Sequence, residues 1–443
     1  MNNKSYTITR KVKLYPFGGK EEVDRVYTYL REGIKSQNQA MNQYMSTLYI
    51  EMIKEASKED KKELNALYKR ISTSKKGSAY DKTLEFAKGL PMGGSITKKV
   101  NSDFSNAMKK GLRYGRVSLP TYRDTNPLLV HRDYVRLLET NPHQKTGIYH
   151  NYENIEEFKE HLYKEDLEMF IKFANGITFK IIFGNPYKSR ELRSVFEKIV
   201  NGTYDVQGST IEICDKSIIL NLSIKIPQKK IELLDDVVVG VDLGIAIPAV
   251  CALNTNDYSG LRIGSADDFL RVRTKIQAQR KRLQKDIAKS KGGHGRKKKM
   301  RSLDKFEDYE SNWVSNYNHM VSRRIVDFAI KNNAKYINIE CLENFKKSKN
   351  KSYILRNWSY YQLQQYIIYK ANMVGIEVRK VDPYHTSQSC SCCGHWEEGQ
   401  RKDQAHFICG SCGAELNADF NAARNIAMST NFVKDDDLAH DEL

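Results

Sequence analysis

Three acidic residues stand where an ionised side chain is costly. Asp242 ends the apolar run Val237-Val238-Val239-Gly240-Val241, the pattern of a central strand, and Leu243-Gly244 follow it. Glu340 repeats that situation after Tyr336-Ile337-Asn338-Ile339. Asp419 lies in Asn417-Ala418-Asp419-Phe420-Asn421-Ala422-Ala423-Arg424-Asn425, which reads as the first turns of a helix with its acid on the sheet-facing side. An ionised group beside buried strands must be paired or bound to a cation. Two acids ending two strands of one sheet can converge, however far apart they lie in the chain. Phosphodiester hydrolysis needs an activated water and charge stabilisation at the leaving oxygen, and two divalent ions about 3.5–4 Å apart supply both. Magnesium, or manganese in its place, prefers such carboxylate oxygens. Taken singly, each acid is explained as well by a helix cap or a surface carboxylate.

The cysteines make a second constellation. Five of the eight crowd between residues 390 and 412. Cys390-x2-Cys393 and Cys409-x2-Cys412, fifteen residues apart, have the spacing of a four-thiolate zinc site. Gly394 and Gly413 stand just behind each pair, where a tight turn points amides at sulfur. Cys392 is surplus, and His395 and His406 are lesser alternatives because four thiolates already close the tetrahedron. The expected zinc is one structural ion; a catalytic zinc would need an open position.

A third feature is charge. Between residues 271 and 301 fourteen Lys or Arg face the single acid Asp286. A run of this kind is ordinarily a solvated helix face, but its position between two strand-end acids makes a phosphate track the better reading. The candidates are Arg271, Arg273, Arg280, Arg282, His294, Arg296, Lys297 and Lys298, with Arg401 near the cysteines. Lys289-Ser290-Lys291-Gly292-Gly293 before His294 reads as a flexible turn. Trp313, Tyr317, Trp358, Tyr360, Tyr361 and Tyr366 recur nearby; most are expected in the core, with one or two stacking on bases.

The elements that must position these groups fall into two halves. Residues 5–17 read as a strand ending at Pro16 and Gly18-Gly19. Val23, Val26, Leu30, Ile34, Met41, Tyr44, Leu48 and Met52 mark one face of a long helix or a broken pair, and further helices fill 61–113, interrupted at Pro91-Met92-Gly93-Gly94. Strands return at 177–183, 210–214 and 217–226, the last two around an Asp215-Lys216 turn, so the first half is a β domain interrupted by a helical insertion. Beyond a linker at 227–230, strands at 249–253, 336–341 and 377–381 alternate with helices at 303–330 and 360–373, an α/β pattern.

Bulk properties agree. The 443 residues are 40% hydrophobic and suffice for two or three domains with real cores. Lys and Arg outnumber Asp and Glu 72 to 54, a net charge of +18 that attracts phosphate polyanions or anionic membranes and by itself does not choose between them. No apolar stretch is long enough for a membrane span, and the first ten residues lack a signal peptide's apolar core, so a cytoplasmic protein is expected. The final His440-Asp441-Glu442-Leu443 spells an ER-retention address, read as coincidence because it acts only in a chain that enters the secretory route.

GVDLGIAIPAV (240–250), INIECLENF (337–345), and TSQSCSCCG followed by FICGSCGAELNADFNAARNIA (within 386–427) resemble the RuvC nuclease and zinc-ribbon blocks of transposon TnpB proteins and type V CRISPR effectors. GGHGRKKK (292–299), NWSYYQLQQYIIYKA (357–371) and VDPYHTSQ (381–388) are most similar to miniature subtype F effectors. The resemblance is specific over 237–427 and looser before it. It implies an α/β plus β fold: an RNase H-like (RuvC) domain over 231–384 and 416–443, a target-binding zinc ribbon at 385–415, and a wedge β domain from 1–17 and 116–230 with a helical recognition insertion at 18–115. It implies Asp242, Glu340 and Asp419 as the metal-binding triad, a guide RNA that pairs with double-stranded target DNA, a T-rich flanking motif and two protein copies on one guide. Two rival readings stand beside it: a transposon-encoded TnpB nuclease of the same chemistry, and a zinc-ribbon nucleic-acid-binding protein without activity.

Overall fold

The computed structural model describes residues 5–54, 61–71, 78–86, 90–91, 95–138, 145–214, 217–228, 231–244, 247–255, 259–289, 292–341, 360–403 and 405–433. Two compact units meet in sequence between Pro227 and Gln228. Among the described residues no helix is long and apolar enough to cross a membrane.

In the first unit, β1 (Ser5–Pro16) is followed by four helices, α1 (Lys20–Lys54), α2 (Lys61–Ile71), α3 (Ala79–Phe86) and α4 (Ser95–Lys109). The remaining elements are β2 (Leu128–Val130), β3 (Gly147–His150), α5 (Ile155–His161), β4 (Met169–Lys172), β5 (Thr178–Ile182), α6 (Arg190–Val200), β6 (Asp205–Val206), β7 (Ser209–Cys214) and β8 (Ser217–Pro227). The apolar spacing in α1 makes one unbroken helix, burying Val26, Leu30, Ile34, Met41, Tyr44, Leu48 and Met52. Its side-chain amides bind loop backbone: Gln37 spans Pro127 O and Leu129 N, and Asn42 both donates to and accepts from Tyr122. The sheet runs β2-β7-β8-β1-β5-β4-β3, with β6 also on β8. In β8 the period-two burial of Ile218, Leu220, Leu222, Ile224 and Ile226 sets the register with β1, from Ser5↔Pro227 to Leu14↔Ile218. The turn expected at 215–216 lies outside the described residues, and the short strands β2, β3 and β4 escape sequence patterning because three or four residues carry too little alternation.

The second unit contains β9 (Leu234–Asp242), β10 (Ala249–Leu253), β11 (Gly260–Ile263), α7 (Ala266–Lys289), α8 (His294–Lys331), β12 (Ala334–Glu340), α9 (Tyr360–Met373), β13 (Glu377–Val381), β14 (His406–Ile408), β15 (Glu415–Asn417) and α10 (Ala418–Met428). Its five-stranded sheet has the order β11-β10-β9-β12-β13; β12 is parallel to β9 and β13, while β10 is antiparallel to β9 and β11. One face packs Val237, Val239, Val241, Ile337 and Ile339 against Val321 and Ile325 of α8 and Leu363 and Ile367 of α9. The other face carries α10. Burial on both faces explains the continuous apolar run before Asp242. Helix α8 starts nine residues before the predicted 303, and α7 takes up most of the basic run. Lys, Arg and Gln are strong helix formers whose polarity hides any amphipathic period. The mixture of α/β and β sheets is that expected.

Candidate active site

Register brings the first two acids together. Ile337 pairs with Val239 and Ile339 with Val241 across the parallel β9–β12 ladder, so the next step sets Glu340 beside Asp242. Alternation turns both acids away from the valines, onto the face shared with Gly240 and Asn338. Helix α10 lies directly on that face. A Cβ added at Gly240 would meet Ala423 O at 2.1 Å and Ala427 N at 2.3 Å, so only glycine admits this approach. Asn338 donates to Ile426 O at 3.0 Å, anchoring the helix's C-terminal end on β12. The helix's N-terminal end therefore points at Asp242 and Glu340. There Asn417 caps it, accepting from Phe420 N, and Asp419 sits in the first turn, 7% exposed.

The charges in this site oppose one another. Burial pushes the Asp242 carboxyl up to about 8, helped by repulsion from Glu340 and Asp419 and opposed by Arg401. Burial also raises Glu340, against the hydrogen bond that Thr386 donates to its Oε1 at 2.6 Å. Arg401 reaches Asp419 Oδ1 at 3.0 Å, so this residue, anticipated on nucleic acid, is found on an acid. The Tyr360 hydroxyl, half-buried beside the Asp242 charge, is held up at about 12 by desolvation and that charge. Hard oxygen donors that repel one another in a buried site suit divalent cations. Among the described residues only the four cysteines hold three or more ligand atoms all within 4.8 Å of one another. The carboxylates are spread more widely.

The four thiols do come together: Cys390 Sγ and Cys412 Sγ are 3.7 Å apart, and Cys393 Sγ and Cys409 Sγ 3.6 Å. A tetrahedron with Zn–S bonds of about 2.3 Å has edges of roughly 3.8 Å, so the donor set fits zinc without rearrangement. Each knuckle closes on its glycine. Gly394 N donates to Cys390 O and Gly413 N to Cys409 O, with φ of 75° and 71°, and amides of Cys392 and Cys412 point at Cys390 Sγ and Cys409 Sγ. His406 pairs with Asp403 and His395 with Glu397, so neither histidine joins the thiols.

Several positioning residues carried no signal readable from residue type alone. Asn421 binds Ser389 O and Ser391 N, and Asn425 binds Thr386 O and Ser389 O, fastening the ribbon's root to α10. Gln364 donates to the backbone of Glu340. For Asn421 and Asn425 the sequence signal is the Asn417, Asn421, Asn425 spacing of four, which puts these amides on one helix face.

The basic track divides. Arg273 and Arg280 bind the carboxylate of Glu310, both at 2.9 Å, and Glu310 is 7% exposed, so these two staple α7 to α8. Arg282, His294, Arg296, Lys297 and Lys298 are exposed near the α7–α8 connection, and Arg271 is exposed beside Asp268. Ser290 and Lys291 lie outside the described residues, as does Trp358. Trp313 and Tyr317 pack with Phe269, and Tyr366 stacks on His319 at 4.0 Å.

Comparison with known proteins first gives a class of domain: residues 360–426 match the family model "Cas12f1-like, TNB domain". A CRISPR-associated endodeoxyribonuclease Cas12f1 of Sulfoacidibacillus thermotolerans is 34% identical over 351 residues, 75% of this chain and 76% of that protein. A TnpB-like protein of Methanocaldococcus jannaschii is 30% identical over 164 residues, 35% of this chain and 55% of that one. A Cas12f1 chain, solved by cryo-EM in complex with sgRNA and target DNA, shares the fold with a TM-score of 0.70 at 21% identity, over 97% of this chain and 100% of that one. The chain belongs to the Cas12f1 family.

Proposed function

We propose that this protein is an RNA-guided DNA endonuclease that hydrolyses target DNA in one RNase H-like (RuvC) site. The observation that carries it is the convergence of Asp242, Glu340 and Asp419 through the β9–β12 register and the seating of α10 on Gly240. These acids would hold two magnesium or manganese ions. When bound, such ions supply an activated water and charge neutralisation at the leaving oxygen. Thr386 and Gln364 fix Glu340, and Arg401 pairs with Asp419. The cysteines hold one structural zinc, and that ribbon with the exposed basic residues of α7 and α8 faces nucleic acid. The first unit serves as wedge domain and helical recognition insertion. A guide RNA, a double-stranded target beside a T-rich motif, and two protein copies on one guide complete the reading. Similarity spanning 76% of a Cas12f1 protein, against 55% of a TnpB-like one, favours this over a transposon nuclease. The test is divalent-dependent cleavage of guide-matched DNA by wild type and by Asp242→Ala. Cleavage disappears in the variant while guide and target binding persist; equal cleavage by both overturns the assignment.

A further inference from the structure

Three aromatic side chains gather on the surface beside the acids, and neither the carboxylates nor the zinc thiolates engage them. Tyr384 is 76% exposed and Trp396 49%. His385 lies between them, its ring 3.8 Å from Tyr384 and 4.5 Å from Trp396, with 63° and 58° between the planes. At such angles an edge of one ring meets one face of its neighbour, and the opposite face stays uncovered by it. Contiguous exposed aromatic surface is unfavourable in water and marks a place of contact. The cluster is also held stiffly. Trp396 Nε1 donates to Gln388 Oε1 at 3.1 Å, and His385 Nδ1 lies 3.2 Å from the same oxygen. Tyr384 N donates to Asp382 Oδ1, and His385 takes a φ of 60°, a costly conformation for a residue with a side chain. The turn runs straight into the catalytic acids. Thr386, the next residue, binds the Glu340 carboxylate, and its carbonyl is held by Asn425.

We propose that Tyr384, His385 and Trp396 form a stacking ridge for one or two nucleobases of a single strand, fixing which phosphodiester lies at Asp242, Glu340 and Asp419. This rests on the nuclease reading and adds a register device to it. The indole N–H is already engaged by Gln388, so what that ring offers a ligand is its π-face, which accepts any base but cannot reach one hidden in a duplex. Only an unpaired strand can therefore use the ridge. Continuity with Glu340 through Thr386 makes that strand the one being cut.

The experiment uses the full chain with its guide RNA and magnesium, on end-labelled single-stranded DNA matched to the guide, with one abasic site stepped along it. With wild type, cleavage slows about tenfold or more when the missing base falls at one or two positions at constant offset from the cut. Tyr384→Ala/Trp396→Ala slows cutting of intact DNA by a similar factor, spreads the cut over neighbouring phosphates and removes the abasic effect; Trp396→Phe restores rate and position. A flat abasic profile with wild type overturns the ridge, as does a zinc-replete double variant that cuts intact DNA at unaltered rate and position. If the double variant has lost zinc, the wild-type abasic profile alone decides. Asp242→Ala on the same DNA separates the two readings: its failure to cut alongside a flat profile sinks only the ridge, whereas normal cutting sinks the site itself.

Discussion

In the proposed active site a proton on Asp242 competes with the divalent cation that the acids would hold. A carboxyl pushed up to about 8 is largely protonated at neutral pH in the metal-free protein, so cation binding must expel that proton. Affinity for magnesium therefore rises with pH up to about 8. The sign for stability is opposite: the folded state holds a proton that the unfolded chain releases near pH 4, so the metal-free protein loses stability as pH rises from about 4 to about 8. Melting followed at pH 6 and pH 8.5, with and without magnesium, checks both: the metal-induced rise in Tm is larger at the higher pH. Thr386 acts one bond further out. Thr386→Val removes its hydrogen bond to Glu340 and is expected to cut the cleavage rate roughly 10–100-fold, as outer partners of metal-binding groups do, with little change in guide binding.

Among elements, the closest fit is α10 on β9. Gly240→Ala drives a methyl into the helix backbone at Ala423 and Ala427, neither of which can yield as a side chain can. Overpacking of this kind costs about 1–3 kcal/mol or more, and here it also lifts Asp419 away from Asp242. Chemical denaturation shows a lower midpoint, and cleavage falls with it. The α7–α8 pair depends on Glu310. Glu310→Gln leaves Arg273 and Arg280 without their countercharge and lowers stability by about 2 kcal/mol, discounted from the fully buried case because both guanidinium groups retain some solvent.

Over the whole molecule, with the proposed function a net charge of +18 makes nucleic-acid binding weaken steeply with salt. The divided basic track makes this specific. Replacing Arg282, Arg296, Lys297 and Lys298 by alanine reduces the slope of log affinity against log salt by roughly 3, with the melting temperature unchanged. Replacing Arg273 and Arg280 leaves that slope nearly as it was and lowers melting instead.

Much of this was legible in residue order. Cys390, Cys393, Cys409 and Cys412 announce a metal knuckle because two-residue spacing and a following glycine are local geometry. The face of α1, the alternation in β8 and the acids closing β9 and β12 are local as well, since helical and strand periods act within a few residues. What only tertiary structure decided is which distant group each charge meets. Arg273, Arg280 and Arg282 look alike in the chain, yet two of them find Glu310 thirty or more positions away and one does not. Arg401 finds Asp419, and Thr386 finds Glu340. Gly240 is unremarkable in its strand until α10 arrives from the far end of the chain. Such partnerships follow from strand register and helix placement, set by the burial of whole faces at once, and no window of neighbouring residues contains them.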